Sequence, residues 1–126
     1  MLKANIETFI GCDADYGGAK IALFGAPFDS TTSFRPGTRF ASAVMRRESY
    51  GLELYSPYQN KELPEGTVFD SGDIELPFGS PERALQMIEE RAAAILSDGK
   101  LPFMIGGEHL VTLGSVRAVF AAYPDL

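Results

Sequence analysis

Leu101-Pro102-Phe103-Met104-Ile105-Gly106-Gly107-Glu108-His109 is the stretch on which the fold turns. Leu101 and Phe103 to Ile105 read as a short buried strand, Gly106 and Gly107 break it, and Leu110 to Tyr123 reads as a helix. A strand that passes through a glycine turn into a helix is the repeating unit of a parallel α/β sheet. The only histidine of the chain, His109, stands on that turn. Ligands of open α/β sheets bind just beyond the carboxyl ends of the strands, so His109 is the first candidate site residue.

Reading backwards, a helix is predicted from Ser80 to Gly99. Ser80 is its N-cap, Pro81 its first position, Glu82 lies in the first turn, and Gly99 ends it. Leu85, Ile88, Ala92, Ile95 and Leu96 recur at spacings of three and four and form its apolar face. Thr67 to Asp70 supplies a strand. Lys20 to Phe24 supplies another, a continuous apolar run of the kind covered on both faces. Gly25 to Thr38, rich in Ser, Thr, Gly and Pro, reads as an extended surface loop. Arg39 to Tyr50 reads as a short helix with Phe40, Ala43 and Val44 inward and Arg46, Arg47 and Glu48 outward, stopped by Gly51. Residues 52–66 read as irregular.

Alternating strands and helices with unbroken apolar strands imply an α/β class, a parallel sheet with helices on both faces joined by right-handed crossovers. Residues 1–19 are expected to be a lead-in segment and 20–126 a series of βαβα units. Three strands are few for such a sheet, and Tyr123-Pro124-Asp125-Leu126 resembles a helix exit that feeds another strand. The expectation is therefore an incomplete single domain.

The bulk properties narrow the function classes. With 126 residues, 45% hydrophobic and 22% charged, the chain has an ordinary globular composition and reads as one domain. A net charge of −6 without a basic run argues against a nucleic-acid partner and suits a cationic ligand. Cys12 is the only cysteine, which excludes an internal disulfide. No apolar run approaches the ~20 residues of a membrane span, and the N-terminus lacks the pattern of a signal peptide, so no membrane partner and a cytoplasmic location are expected.

The chemistry concentrates at Gly-Gly-Glu-His. A neutral imidazole suits a divalent metal, and the carboxylate of Glu108 beside it can support the site from behind. From the residues alone, His109 reads equally as a structural histidine and as a ligand. A hydrolytic metal centre needs at least three protein ligands, and the aspartates near strand ends, Asp29, Asp70 and Asp73, each read as turn or cap residues. Gly25-Ala26-Pro27 is not the G-x-G-x-x-G of a dinucleotide fold, so a nucleotide-binding domain lacks support.

Four pieces in order, Phe24-Gly25-Ala26-Pro27-Phe28-Asp29, Ser33-Phe34-Arg35-Pro36-Gly37-Thr38-Arg39-Phe40, Asp70-Ser71-Gly72-Asp73 and Gly106-Gly107-Glu108-His109, resemble the N-terminal half of the ureohydrolase (arginase and agmatinase) family. The similarity runs from about Ile21 to Leu126 and is greatest to the agmatinase branch. It implies an α/β/α sandwich around a mostly parallel sheet, two Mn2+ ions at the strand ends, and hydrolysis of a guanidino compound to urea and an amine. It also implies that His109 is the first metal-ligating histidine and that Glu108 is the acidic residue standing behind it. Glutamate at that place is the agmatinase pattern, so the implied reaction is agmatine plus water to putrescine and urea. Arginine, guanidinobutyrate and formiminoglutamate are the competing substrates. Asp29 and Arg35-Pro36-Gly37 match a loop that borders the cleft and the subunit contacts, and they take shaping roles.

The family's Asp-Ala-His-x-Asp and Ser-x-Asp-x-Asp-x-x-Asp-Pro motifs, which carry the other metal ligands, do not occur in these 126 residues. These residues alone are therefore expected to be inactive, with no catalytic or substrate-binding residue assigned. The implied partners are a small cationic guanidino substrate and further copies of the chain, as a trimer or hexamer. A non-catalytic subunit or pseudoenzyme half is the competing reading from another class.

Overall fold

Ile21–Ala26 carries no charge, and the fold uses it as the middle of the sheet, with every residue after Ile21 buried. The computed structural model describes all 126 residues. In chain order its elements are β1 (Ile21–Ala26), α1 (Ala41–Ser49), β2 (Tyr55–Ser56), β3 (Lys61–Glu62), β4 (Val68–Asp73), α2 (Pro81–Ser97), β5 (Leu101–Gly106) and α3 (Thr112–Ala122). Single 3-10 turns at Thr38–Phe40 and His109–Val111 precede α1 and α3. The sheet order is β4-β1-β5 and both pairings are parallel. β2 and β3 form a separate two-residue antiparallel ladder inside the stretch expected to be irregular.

Alternation along β1 sorts the two layers. Ala22, Phe24 and Ala26 point to one face, where they join Phe69, Ile74 and the α2 residues Ala84, Ile88, Ala92 and Ile95 in the main core, with Ala118 of α3. Ile88 and Ile95 are fully buried, each worth about 1.5–3 kcal/mol relative to exposure. Ser80 caps α2 by accepting the Arg83 N–H at 3.4 Å, Pro81 is its first residue, and Gly99 follows it at φ 71°, as the sequence reading expects. Ile21 and Leu23 point to the opposite face and meet Cys12, Val68 and Ile105. No helix is long and apolar enough to cross a membrane.

α1 corrects one expectation. Phe40 and Val44 are 56% and 43% exposed, Ala43 is exposed too, and the buried residues are Ser42, Arg46 and Ser49. Arg46 turns inward because the facing strand presents carboxylates. Its Nε and Nη2 donate to Asp70 Oδ2 and Oδ1 at 2.8 and 3.0 Å, and its Nη1 donates to Asp73 Oδ1 at 2.5 Å. Burial alone would lower the pKa of Arg46, but the hydrogen bonds and charges of Asp70 and Asp73 outweigh it and hold the guanidinium above its ordinary value. Asp70 and Asp73 are thus strand residues of an ion-pair network, not turn or cap residues. Ser42 Oγ also donates to Asp73 Oδ2 at 2.7 Å. Gly25 makes room for this, since a Cβ there would lie 1.9 Å from Asp73 Oδ1.

The lead-in segment lies along β4. Asn5 N donates to Asp70 O at 3.0 Å, Ala14 N to Val68 O and Asp70 N to Cys12 O, both at 3.1 Å, which sets Asp13 opposite Phe69 in an antiparallel bridge. Tyr16 adds a hydroxyl bond to Asp98 Oδ2 at 2.6 Å just beyond α2. In β5, Leu101 N donates to Lys20 O at 2.9 Å. Strand alternation then turns the nitrogen of Pro102 away from β1, where a missing N–H costs no ladder bond.

Candidate active-site cleft

The β5 strand ends at Gly106, and Gly107 decides where the next residues go. A Cβ on Gly107 would lie 2.1 Å from the carbonyl oxygen of Phe28 and 2.8 Å from its nitrogen, so the turn after β5 can rest on the turn after β1 only with glycine there. Glu108 N then donates to Phe28 O at 2.8 Å. This brings the carboxyl ends of the two adjacent strands together. His109 follows, exposed, as the first residue of the 3-10 turn rather than in the loop before a helix.

Between the two turns lies an open cleft of about 630 Å³, walled by Thr31 to Phe34 and Thr38 on one side and Gly107 to Leu110 on the other. Glu108 is 9% exposed, and both of its carboxylate oxygens are engaged by one residue. Thr31 N donates to Oε2 at 3.1 Å, and the Thr31 hydroxyl donates to Oε1. Glu108 and His109 both line the cleft, but the Glu108 carboxylate is buried and spent on Thr31 across it, whereas the His109 side chain is exposed.

The opposite wall is held by Asp29. Its Oδ2 accepts the N–H of Gly37 at 2.6 Å and of Arg39 at 3.2 Å, and its Oδ1 accepts Arg39 Nη1 at 2.9 Å. Burial alone would raise the Asp29 pKa, but the Arg39 guanidinium and the two backbone N–H groups outweigh it and hold the carboxyl below its ordinary value. Thr32 Oγ1 donates to Asp29 O at 3.1 Å. The loop is thus closed at its base, with Arg35 at φ 46° forming its tight outer corner and Phe34 standing 77% exposed at the cleft mouth. Asp29 thereby fixes the shape of the loop that carries Arg35-Pro36-Gly37.

The donor chemistry of these residues fits one coordination position and no more. No group of three or more His, Cys, Asp or Glu side chains converges anywhere in the chain. His109 is the one side chain at the cleft suited to a transition metal, because the oxygens of Glu108, Asp29, Asp70 and Asp73 are all committed to protein donors. Thr31, the partner of Glu108, is the residue the sequence did not reveal. Its contact spans 77 positions, and the only local sign was a Thr-Thr pair in a polar loop.

Comparison with known proteins places this geometry. Residues 19–126 match the arginase family. Agmatinase of Bacillus subtilis (strain 168) is 47% identical over 120 residues, which are 95% of this chain and 41% of that protein. The crystal structure of agmatine ureohydrolase of Thermoplasma volcanium superposes with a TM-score of 0.83 at 35% identity, covering 90% of this chain and 39% of that one. Proclavaminate amidino hydrolase of Streptomyces clavuligerus gives a TM-score of 0.78 at 30% identity, covering 98% and 42%. The chain spans about two-fifths of the length of the curated relatives it matches. A parallel sheet with its glycine turn and histidine at the strand ends, matched over all but the first 18 residues, makes this chain a member of the arginase family.

Proposed function

We propose that this chain builds part of the active-site cleft of a guanidino-compound hydrolase, with agmatine as the substrate: water adds to the guanidinium carbon, the bond from that carbon to the alkyl nitrogen breaks, and urea and putrescine leave. The observation that carries the reading is His109, exposed at the carboxyl end of β5 in a cleft, on a turn backed by the buried carboxylate of Glu108. The identity to proteins named agmatinase, over 95% of this chain, supports the choice of substrate.

In this reading an imidazole nitrogen of His109 holds one ion of a manganese pair, and the remaining ligands come from outside these 126 residues. A bound pair of such ions lowers the pKa of water and so supplies a nucleophile at neutral pH. The chain's own contributions are to present the imidazole, to keep Glu108 behind it, and to shape the opposite wall through Asp29 and the loop it closes. In this reading the protein assembles with further copies of itself, as a trimer or hexamer.

The test uses the whole protein that carries this chain. His109→Ala should lower bound manganese and abolish urea release from agmatine, and unchanged ion content and turnover would overturn the reading. Arginine, guanidinobutyrate and formiminoglutamate in the same assay should be poorer substrates. Residues 1–126 alone, with Mn2+ added, should release no urea from agmatine.

A further inference from the structure

We propose that Thr31 is a positioning residue for His109, acting through Glu108; the proposal rests on the reading of His109 as a metal ligand. Every polar atom of Glu108 is engaged. Its N–H goes to Phe28 O at 2.8 Å, its carbonyl accepts Val111 N at 3.3 Å, and its two carboxylate oxygens accept the backbone and hydroxyl of Thr31. Glu108 is thereby fixed at both ends, to the turn directly after β1 on one side and to the opposite cleft wall on the other.

The His109 ring makes no hydrogen bond of its own, so its aim comes from the turn that carries it. The ring is exposed, so packing does not choose its direction. The ring leaves the chain one residue after Glu108, at the start of a 3-10 turn whose N-cap is Glu108 at φ −76° and ψ 170°. A Glu108 side chain released from Thr31 would be free to leave its buried seat and enter the cleft, and the backbone that aims the imidazole would lose its lateral anchor. Thr31 is itself a cleft-wall residue, so one side chain sets the distance between the wall and the histidine. Partners that hold a metal ligand in place typically contribute 10–100-fold in metal affinity or activity. Thr31 acts through the backbone rather than on the ring, which places its effect near the lower end.

The experiment measures Mn2+ binding to the metal-free whole protein by calorimetry, with kcat and KM for agmatine alongside. Thr31→Val keeps the shape and the backbone N–H but loses the hydroxyl. It should weaken Mn2+ binding about tenfold, and activity should recover at high Mn2+. Thr31→Ser keeps both donors and should bind as the parent does. Glu108→Gln should weaken binding as well, and the Thr31→Val/Glu108→Gln double variant should lose no more than the worse single one, because both changes break the same contact. A lowered melting temperature with unchanged Mn2+ affinity in Thr31→Val and Glu108→Gln would make the pair merely structural and overturn the proposal. Equal losses in Thr31→Ser and Thr31→Val would also overturn it. His109→Ala separates the two layers of inference: unchanged Mn2+ binding there defeats the ligand reading itself, whereas loss in His109→Ala with none in Thr31→Val defeats only the role of Thr31.

Discussion

Replacing Arg46 with methionine removes a guanidinium whose side chain is 4% exposed and leaves Asp70, fully buried, without its cation. Two of the three lost hydrogen bonds go to Asp70, at 2.8 and 3.0 Å, and the third goes to Asp73. Breaking a buried ion pair from one side costs about 3–5 kcal/mol, because the surviving charge stays desolvated. That is a large part of the roughly 5–15 kcal/mol that holds a domain together. With a urea dependence of about 1.5 kcal/mol per M, the unfolding midpoint followed by circular dichroism should fall by about 2–3 M. The Arg83–Glu90 pair, at 3.5 Å with both side chains about half exposed, supplies the internal control. Arg83→Met should cost no more than about 1 kcal/mol. Asp70→Leu added to Arg46→Met should restore part of the loss by removing the buried charge, and only part, since Asp70 also accepts the N–H groups of Phe9 and Gly72. If Arg46→Met and Arg83→Met lower the midpoint equally, the argument from desolvation is wrong.

Two further substitutions test the site and the second face of the sheet. Gly107→Ala would put a methyl 2.1 Å from Phe28 O, so a loss of about 1–3 kcal/mol is expected, together with faster amide exchange at Glu108; native exchange there would contradict the packing. Burial, aided by the Asp70 and Asp13 carboxylates, pushes the Cys12 thiol up from 9.0 to about 11, so its contribution to stability is intact below about pH 9 and is lost as the pH rises through about 11. The parent should therefore lose stability across that window more steeply than Cys12→Ala, and parallel pH profiles would refute the assignment.

Much of the architecture was legible because it rests on local chemistry. The apolar runs at 20–24 and 101–105 marked two strands, although β5 is an edge strand with Leu101 and Phe103 exposed rather than the buried strand expected, and Ser80, Pro81 and Gly99 marked both ends of α2 without reference to anything distant. The Gly-Gly-Glu-His turn was legible for the same reason. The orientation of α1 was not, because apolar spacing points Phe40 and Val44 inward, whereas the strand it meets carries Asp70 and Asp73 and draws Arg46 in instead. The Tyr55–Ser56 and Lys61–Glu62 ladder is too short to show a period. Thr31 was hidden because a hydrogen bond between residues 77 apart leaves no local pattern.

The strap formed by residues 5–14 has an implication for how such a protein can be enlarged. With Asn5, Cys12 and Ala14 already bonded to β4, that flank of the sheet accepts no newcomer. Growth is one-way: an additional strand can enrol only beside Leu101–Gly106, the flank that carries His109 at its tip. A parallel strand paired there would lay its own carboxyl-end loop next to the imidazole of His109.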